Sequence, residues 1–355
     1  MLLASLLLIA AQTQAAPPQR PDPEELGPQA GQRLPAFEAR DQSGRSRNFA
    51  SLSGPKGLVL VFFRSADWCP YCKAQLVEME SQVKRFRKRG LEVAALSYDS
   101  VEVLKDFSTR KGITFPLLSD PDSKVIRAFG LLNEFDYPKG HMAHGVPFPG
   151  TFVTDASGMI VSRHFDREYQ ERRTAAGLLV SLGEPGAGPV KEIVTDQFVL
   201  RASVSNTEVA PGRRVTLVLD FTMRPKMHAY APGVKGYRPL NFRLAENPFV
   251  TPHEVRYPES RPYTFAPLKE TVPVFAGHFR VLQDVTALGP NRGPGGTPSP
   301  VIQMTEIDLN GTLEYQVCSD VVCHAPASMP LQWTLTVAPL DRERAPEALR
   351  KNPQR

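Results

Sequence analysis

The hydrophobic period of this 355-residue chain changes once, at a short Gly- and Pro-rich segment over residues 183–189. Before it, from residue 33 to about 185, buried-strand runs alternate with stretches at helical spacing, which predicts a mixed α/β sheet with helices on both faces. After it, from residue 192 to 338, apolar and polar residues alternate with a period of two, which predicts an all-β sandwich of short strands. The sequence therefore predicts two domains of different class.

Composition narrows the class of protein. Hydrophobic residues make up 41% and charged residues 22% of the chain, as in folded proteins. The 34 prolines argue against a mostly helical architecture. The net charge of +5 is too weak to indicate nucleic-acid binding, so we expect no nucleic-acid partner.

The two ends of the chain and one internal segment are predicted to lie outside the folded domains. Residues 1–16 hold a short apolar run followed by small residues, which predicts a signal peptide and hence a periplasmic or otherwise exported protein, soluble after cleavage. A buried helix or a mis-assigned start is the alternative. Residues 17–32 predict a Pro-rich linker, residues 289–300 a long flexible loop, and residues 339–355 a charged, frayed tail.

The first cysteine pair lies in Trp68-Cys-Pro-Tyr-Cys72, between an apolar strand and an amphipathic helix. Backbone N–H groups and the macrodipole at a helix N-terminus lower a thiol pKa, and Pro70 suits the first helical turn. The spacing brings Cys72 within disulfide reach and leaves Cys69 exposed as the attacking group. The pattern predicts a redox-active dithiol. Its proton acceptor is unassigned, with Glu78 and Asp67 as candidates.

The second pair, Cys318 and Cys323, ends a predicted strand and can close a tight loop. Of the three possible connectivities of four cysteines, spacing favours the two local disulfides. A purely structural disulfide is one alternative for this pair. Metal binding is the other, with His141 and His144 completing a zinc site at the first pair, or a copper or zinc site formed by Cys318, Cys323, His324 and His228.

Residues 33–182 resemble the thioredoxin superfamily, and more closely its AhpC/TSA redoxin branch. The resemblance rests on Asp67-Trp-Cys-Pro-Tyr-Cys-Lys73 and on Phe148-Pro-Gly-Thr-Phe-Val-Thr-Asp155. It implies a thioredoxin-like fold. The residue pattern separately predicts a last amphipathic helix over 167–182. The resemblance also implies a cis proline at Pro149, with Pro147 as the second choice. A substrate groove would then be lined by Trp68, Pro70, Tyr71, Phe148 and Pro149.

Peroxiredoxins share this fold, but the motif that they use is incomplete here. Their proline and threonine positions fall at Phe62 and Ala66, and their arginine position falls at Pro149. Arg64 and Arg163 could compensate for the missing arginine. A thiol peroxidase is therefore an alternative function rather than the main prediction.

Residues 192–338 resemble the N-terminal periplasmic domain of the DsbD thiol:disulfide interchange proteins. The resemblance rests on Tyr315-Gln-Val-Cys318, on Cys323-His-Ala-Pro326 and on Met227-His-Ala-Tyr-Ala-Pro232. It implies an immunoglobulin-like sandwich in which His228, Tyr230 and Tyr315 surround the second cysteine pair.

Together these features predict an exported thiol–disulfide oxidoreductase that needs no cofactor beyond its cysteines. Cys69 attacks a client disulfide, Cys72 resolves the mixed disulfide, and Cys318 with Cys323 relays electrons to the first pair or to an outside partner. The DsbD resemblance favours net reduction of client disulfides, with periplasmic protein thiols and disulfides as partners, and implies an external, membrane-bound reductant. The other alternative is a periplasmic module that handles copper or zinc.

Overall fold

A computed structural model describes residues 20–141, 143–265, 270–287 and 305–350. The predicted signal peptide over 1–16 and the predicted loop over 289–300 lie outside the described residues. Within the described ranges, no helix has the length and apolar character needed to cross a membrane.

The first domain is built on a mixed sheet of seven strands flanked by five helices. Its strands are β1 (Glu38–Asp41), β2 (Ser46–Asn48), β3 (Gly57–Phe62), β4 (Leu91–Ser97), β5 (Leu117–Ser119), β6 (Gly150–Thr154) and β7 (Ile160–Phe165). Its helices are α1 (Phe49–Leu52), α2 (Pro70–Lys88), α3 (Val101–Lys111), α4 (Lys124–Ala128) and α5 (Ala175–Ser181). The strand order is β2-β1-β5-β4-β3-β6-β7, with β3, β4 and β5 parallel.

The sheet has an apolar core on each face, as predicted. One core joins the sheet to α2, α3 and α5, through side chains such as Leu76, Phe107 and Leu179. The other joins it to α1 and α4, through Leu52 and Ile126. Strand β3 is buried on both faces along its whole length, which explains its unbroken apolar sequence.

Two elements of this domain differ from the sequence prediction. The apolar residues 115–118 predict a strand at a sheet edge, but this strand, β5, lies inside the sheet because β1 pairs with its outer side. The helix expected over 167–182 begins only at Ala175, where Thr174 caps α5 by accepting a hydrogen bond from the Gly177 N–H.

The second domain is all-β and begins after the Gly/Pro-rich segment. Its strands are β9 (Lys191–Val194), β10 (Phe198–Val204), β11 (Glu208–Val209), β12 (Arg213–Met223), β13 (His228–Tyr230), β14 (Asn241–Leu244), β15 (Val250–Arg256), β16 (Arg261–Phe265), β17 (Glu270–Ala276), β18 (His278–Ala287), β19 (Glu306–Tyr315), β20 (Val317–Cys318) and β21 (Ala327–Val337). A sheet ordered β15-β18-β12-β10-β9 and a sheet ordered β11-β21-β19-β14 enclose one apolar core, so the predicted sandwich is confirmed. A smaller sheet, β16-β17-β13-β20, carries the second cysteine pair.

The two domains share a sheet. Arg172–Arg173 of the first domain forms a short strand, β8, that pairs in parallel with the start of β12. The Arg172 N–H donates to the Gly212 carbonyl at 2.9 Å, and the Thr174 N–H donates to the Arg214 carbonyl at 3.0 Å. This pairing extends residues 172–174 and explains why α5 starts later than periodicity predicted.

Both segments predicted to be loose are packed where the structure describes them. From residue 20 the N-terminal segment lies against the first domain, with Leu26 buried and Arg163 donating to the Pro23 carbonyl. The C-terminal segment returns across the first domain as far as Arg350, and Ala345 is 1% exposed. Tertiary hydrogen bonds, which composition does not reveal, hold both segments in place.

Candidate functional site

The first cysteine pair lies at the N-terminus of α2, as the sequence predicts. Cys69 is the N-cap residue, and its Sγ accepts a hydrogen bond from the Cys72 N–H at 3.2 Å. The two cysteines form a disulfide, with their Cα atoms 5.3 Å apart. After reduction, the same N–H and the helix dipole would stabilise a thiolate on Cys69.

The expectation that Cys69 is exposed is wrong. Cys69 is 1% exposed and Cys72 is fully buried, while Trp68, Pro70 and Tyr71 are partly buried around them. The second domain contributes to this cover because Gly212 lies against Tyr71, whose ring also meets that of Tyr169 of the first domain edge-to-face at 6.1 Å. Gly212 has a φ of +78°, and a Cβ there would lie 2.4 Å from the Gln170 carbonyl oxygen, so only glycine fits.

The predicted groove residues Phe148 and Pro149 are both buried, directly before β6. Gly150 pairs with Phe62, which places Pro149 beside the carboxyl end of β3, the strand that leads to the cysteines. The predicted cis peptide is wrong, since every described peptide bond, including those before Pro147 and Pro149, is trans. The Phe148 N–H bonds to the Leu131 carbonyl at 2.7 Å, and this anchored segment keeps the generally preferred isomer.

Arg64 is a buried cation next to the first pair. Its guanidinium lies 4.7 Å from the ring centroid of Trp68 and 4.2 Å from that of Tyr169. It also donates to the Tyr137 hydroxyl at 2.5 Å. Arg163, the other arginine considered for a peroxidase site, is instead bound to the carbonyls of Pro23, Glu24 and Leu26.

A buried carboxylate, Asp99, supports the loop before Cys69, and sequence reasoning missed it. It accepts hydrogen bonds from Ser65 Oγ at 2.8 Å, from the Ala66 N–H at 2.7 Å and from Ser97 Oγ at 2.9 Å. Ser65 Oγ in turn accepts from the N–H of Asp67 at 3.0 Å. Burial raises the pKa of Asp99 to about 6 despite these donors. No local motif marks it, because it follows a different strand.

The two candidate proton acceptors for Cys72 are both engaged elsewhere. Asp67 forms a bidentate ion pair with Arg344, at 2.7 and 2.5 Å, and accepts from the Ala345 N–H. Glu78 pairs with Arg213 of the second domain at 2.9 Å and accepts from the Ala175 N–H at 2.7 Å. These contacts give both carboxylates structural roles.

The second pair, Cys318–Cys323, is also a disulfide, so both local pairings are formed. Cys318 is 1% exposed and pairs with His228 across the β13–β20 ladder. The Tyr230 hydroxyl donates to Cys318 Sγ at 3.1 Å. Cys323 is exposed, so its sulfur is the one that an incoming thiolate can reach.

A cavity of about 250 Å³ adjoins this disulfide, lined mainly by aromatic rings and valines, with Glu270 as its one acidic residue. Tyr237 stacks on Tyr230 with ring centroids 4.1 Å apart, and its hydroxyl donates to Glu270 at 2.7 Å. Tyr263 packs on His228 at 4.1 Å. Sequence reasoning missed Tyr237, Tyr263 and Glu270, because separate segments supply them.

Tyr315, which the sequence predicts beside the second pair, lies instead in the sandwich core. Its ring meets that of Phe198 at 5.1 Å. Strand β19 points its side chains alternately into the core and out to solvent, and Tyr315 falls on the inward set.

The side chains of Tyr230 and His228 beside Cys318 are held in their neutral forms. Burial raises the pKa of Tyr230 to about 12, and the neighbouring Tyr237 and Glu270 add to the effect. Burial also lowers the pKa of His228. At neutral pH, Tyr230 therefore keeps the proton that it donates to the sulfur.

Metal ligands are not grouped in the way that the alternative predictions required. Across the described ranges, no three His, Cys, Asp or Glu side chains are placed to hold one ion. His144 Nδ1 contacts the Tyr137 carbonyl at 2.9 Å, and His141 Nδ1 accepts from the Ala143 N–H at 3.0 Å.

Comparison with known proteins agrees with this division of the chain. Residues 30–163 match the AhpC/TSA family, and residues 195–330 match the family described as thiol:disulfide interchange protein DsbD, N-terminal. A putative peroxiredoxin of Mycobacterium tuberculosis is 35% identical over 136 residues, which are 38% of this chain and 84% of that relative. The thiol-disulfide oxidoreductase ResA of Bacillus anthracis is 26% identical over 145 residues, 41% of this chain and 74% of that relative.

Among solved structures, the peroxidoxin BcpB of Mycobacterium tuberculosis aligns with a TM-score of 0.35 at 24% identity, covering 40% of this chain and 88% of that one. The matched families use cysteine redox chemistry, in keeping with the two disulfides that the fold presents. The chain belongs to the AhpC/TSA family through its thioredoxin-like first domain, which is fused to a DsbD N-terminal-like domain.

Proposed function

We propose that this protein is an exported thiol–disulfide oxidoreductase that reduces the disulfides of client proteins. The observation that carries the proposal is the Cys69–Cys72 disulfide at the N-terminus of α2, where the Cys72 N–H bonds to Cys69 Sγ. This is an arrangement that lowers a thiol pKa and so favours attack on disulfides at neutral pH. The apolar run in residues 1–16 and the DsbD-like domain support export.

The reaction follows from the two sulfurs. The Cys69 thiolate attacks one sulfur of the client disulfide, and the other client sulfur leaves as a thiolate that takes up a proton. Cys72 then attacks Cys69 in the mixed disulfide, which releases the second client thiol and restores the Cys69–Cys72 bond. Because Cys69 is 1% exposed, a client reaches it only after Trp68 or Tyr71 moves aside.

The second pair supplies the electrons in this proposal. Exposed Cys323 accepts attack by an external, membrane-bound dithiol, and Cys318 is the leaving group, stabilised by the Tyr230 hydroxyl. Two electrons and two protons enter with each reduction of the pair. This assigns the cysteines of the second domain to electron entry and those of the first domain to client reduction.

Reduction of insulin by fully reduced protein tests the proposal. We expect thiol loss within seconds on mixing with insulin and at least a hundredfold slower thiol loss on mixing with an equal concentration of hydrogen peroxide. Cys69→Ser should abolish the insulin reaction, whereas Cys72→Ser should trap a mixed disulfide visible on a non-reducing gel. Retention of insulin reduction by Cys69→Ser would reassign the nucleophile.

A thiol peroxidase is the second candidate. Arg64, buried beside Trp68, offers a guanidinium near Cys69, and the relatives named peroxiredoxin point the same way. The positions of the peroxiredoxin proline and threonine hold Phe62 and Ala66, which cannot make the same hydrogen bonds. Faster oxidation of Cys69 by peroxide than by insulin, lost in Arg64→Met, would favour this candidate.

A further inference from the structure

The first cysteine pair, in the first domain, lies near the start of strand β12, and the second pair lies near the other end of that strand. Tyr71, between the first two cysteines, contacts Gly212 at the start of β12. At the other end of β12, the Met223 N–H bonds to the Gly277 carbonyl. Gly277 follows Ala276, which pairs with His228, and His228 pairs with Cys318. Strand β12 has 11 residues and spans about 33 Å at roughly 3.3 Å per step, so the disulfides are of the order of 30 Å apart.

The domain interface holds the pairs at this separation. Residues 172–173 pair with β12, so a strand of the first domain is part of the second domain's sheet. Arg173 binds Asp284 at 2.7 Å, and Arg214 binds Asp166 at 2.6 Å, across the same boundary. Bringing the pairs together within one chain would break this strand pairing and these ion pairs, and would leave the buried Arg213 without Glu78.

We propose that electrons pass between the two cysteine pairs from one copy of this chain to another, not within a chain. This inference rests on the proposed function. The Cys323 thiolate of one chain attacks Cys69 of a second chain, and the Cys69–Cys72 bond breaks with Cys72 leaving as a thiolate that takes up a proton. Cys318 of the first chain then attacks Cys323, which reforms its disulfide and releases the Cys69 thiolate. Two electrons move, and no further reactant is needed.

The shape and surface of the Cys323 loop fit a second copy as the partner. Val321 and Val322, next to Cys323, are 86% and 52% exposed, which gives the loop an apolar tip. The first pair is flanked by the partly buried rings of Trp68 and Tyr71, so an apolar tip meets an aromatic rim. Apolar contact of this kind favours transient association once the rim opens.

A trapping experiment tests the proposal with the full-length variant Cys72→Ser/Cys318→Ser, which keeps only Cys69 and Cys323. Mild oxidation with diamide should give disulfide-linked dimers and larger species. Mass spectrometry of the dimer band should find two proteolytic peptides joined by a disulfide between Cys69 and Cys323, called here the Cys69–Cys323 peptide. Tenfold dilution should lower the initial rate of this cross-link per chain about tenfold. A monomer band that contains the Cys69–Cys323 peptide and is insensitive to dilution would overturn the proposal. Formation of only Cys323–Cys323 dimers, or of no cross-link, would overturn it too.

A second measurement uses native cysteine pairs and guards against misfolding of the trapped variant. Reduced Cys69→Ser/Cys72→Ser is mixed with oxidised Cys318→Ser/Cys323→Ser, and alkylation followed by mass spectrometry records which protein carries thiols. We expect thiols to move between the proteins at a rate proportional to each concentration; no transfer at 100 μM would contradict the inference. Insulin reduction by pre-reduced wild-type protein is scored separately, so a failure of the proposed function is not confused with a failure of interchain exchange.

Discussion

At the scale of single residues, the contact between Tyr230 and Cys318 is the most direct link between structure and reactivity. The hydroxyl donates to the sulfur that leaves when Cys323 is attacked. A neutral hydrogen bond contributes about 1 kcal/mol, equivalent to roughly a fivefold change in rate. Tyr230 therefore acts on the second pair through its proton and not only through packing.

We expect Tyr230→Phe to slow reduction of the second pair by dithiothreitol about fivefold, with little change in melting temperature. The matched control is Tyr237→Phe, which alters the stacked neighbouring ring but removes a hydrogen bond to Glu270 rather than to sulfur. Stopped-flow thiol assays on the variant that lacks the first pair would measure both. Equal slowing in the two variants would assign the effect to the cavity as a whole.

Asp99 gives a pH-dependent prediction. Because burial raises its pKa from 3.8 to about 6, the folded state binds a proton more tightly than the unfolded state. Its contribution to stability is therefore greatest below pH 4 and is lost as the pH rises through 6, a change of about 3 kcal/mol.

Denaturant unfolding of wild-type protein and of Asp99→Asn at pH 4, 5, 6 and 7 measures this contribution. The free energy of unfolding of wild type, relative to that of the variant, should fall most steeply between pH 4 and pH 6 and level off towards pH 7. Parallel curves for the two proteins would show that Asp99 titrates at its ordinary pKa.

At the scale of elements, the C-terminal segment over 339–350 is a strap that crosses the start of α2. Arg344 and the Ala345 N–H bind Asp67, two residues before Cys69. Burial alone raises the pKa of Asp67, but these hydrogen bonds outweigh it and hold the pKa below its usual value. Lys73, on the first turn of α2, reaches the Glu343 carbonyl and Asp341. The strap thus neutralises a buried charge beside the first disulfide.

We expect Arg344→Ala to lower the free energy of unfolding by about 1–3 kcal/mol, because it leaves the buried Asp67 carboxylate without its charged partner. The strap should also become more sensitive to trypsin. Arg342→Ala is the matched control, since Arg342 is exposed on the same segment. Equal losses of stability in the two variants would mean that the Asp67 ion pair is not what holds the strap.

At the scale of the whole molecule, the ion pair between Glu78 and Arg213 couples the domains. Both partners are largely buried, and Glu78 also accepts hydrogen bonds from the Ala175 N–H and from Asn206 Nδ2. Removing one charge from such a pair leaves the other buried and unpaired, at a cost of about 3–5 kcal/mol. The same contacts keep the two disulfides apart.

Glu78→Gln should therefore split thermal unfolding into two transitions, one for each domain, where wild type shows one. The double variant Glu78→Gln/Arg213→Met should recover much of the lost stability, because it removes the unpaired guanidinium as well. Differential scanning calorimetry measures both the number of unfolding transitions and their temperatures. A single, unshifted transition in Glu78→Gln would show that strand pairing alone couples the domains.

The amino-acid pattern by itself determined the two domain classes, the disulfide pairings, and the elements that carry Cys69 and Cys318. These depend on local periodicity, on spacing and on helix-start signals, which are written in short stretches of sequence. Tertiary structure alone decided that Cys69 is buried, that residues 172–173 join the other domain's sheet, and that the described parts of the two terminal segments, from residue 20 and up to residue 350, are packed. It also decided that Tyr315 lies in the core, that Tyr237, Tyr263 and Glu270 lie beside the second pair, and that the two disulfides lie near opposite ends of strand β12. Each of these depends on contacts between residues distant along the chain, and such contacts leave no periodic trace in the sequence.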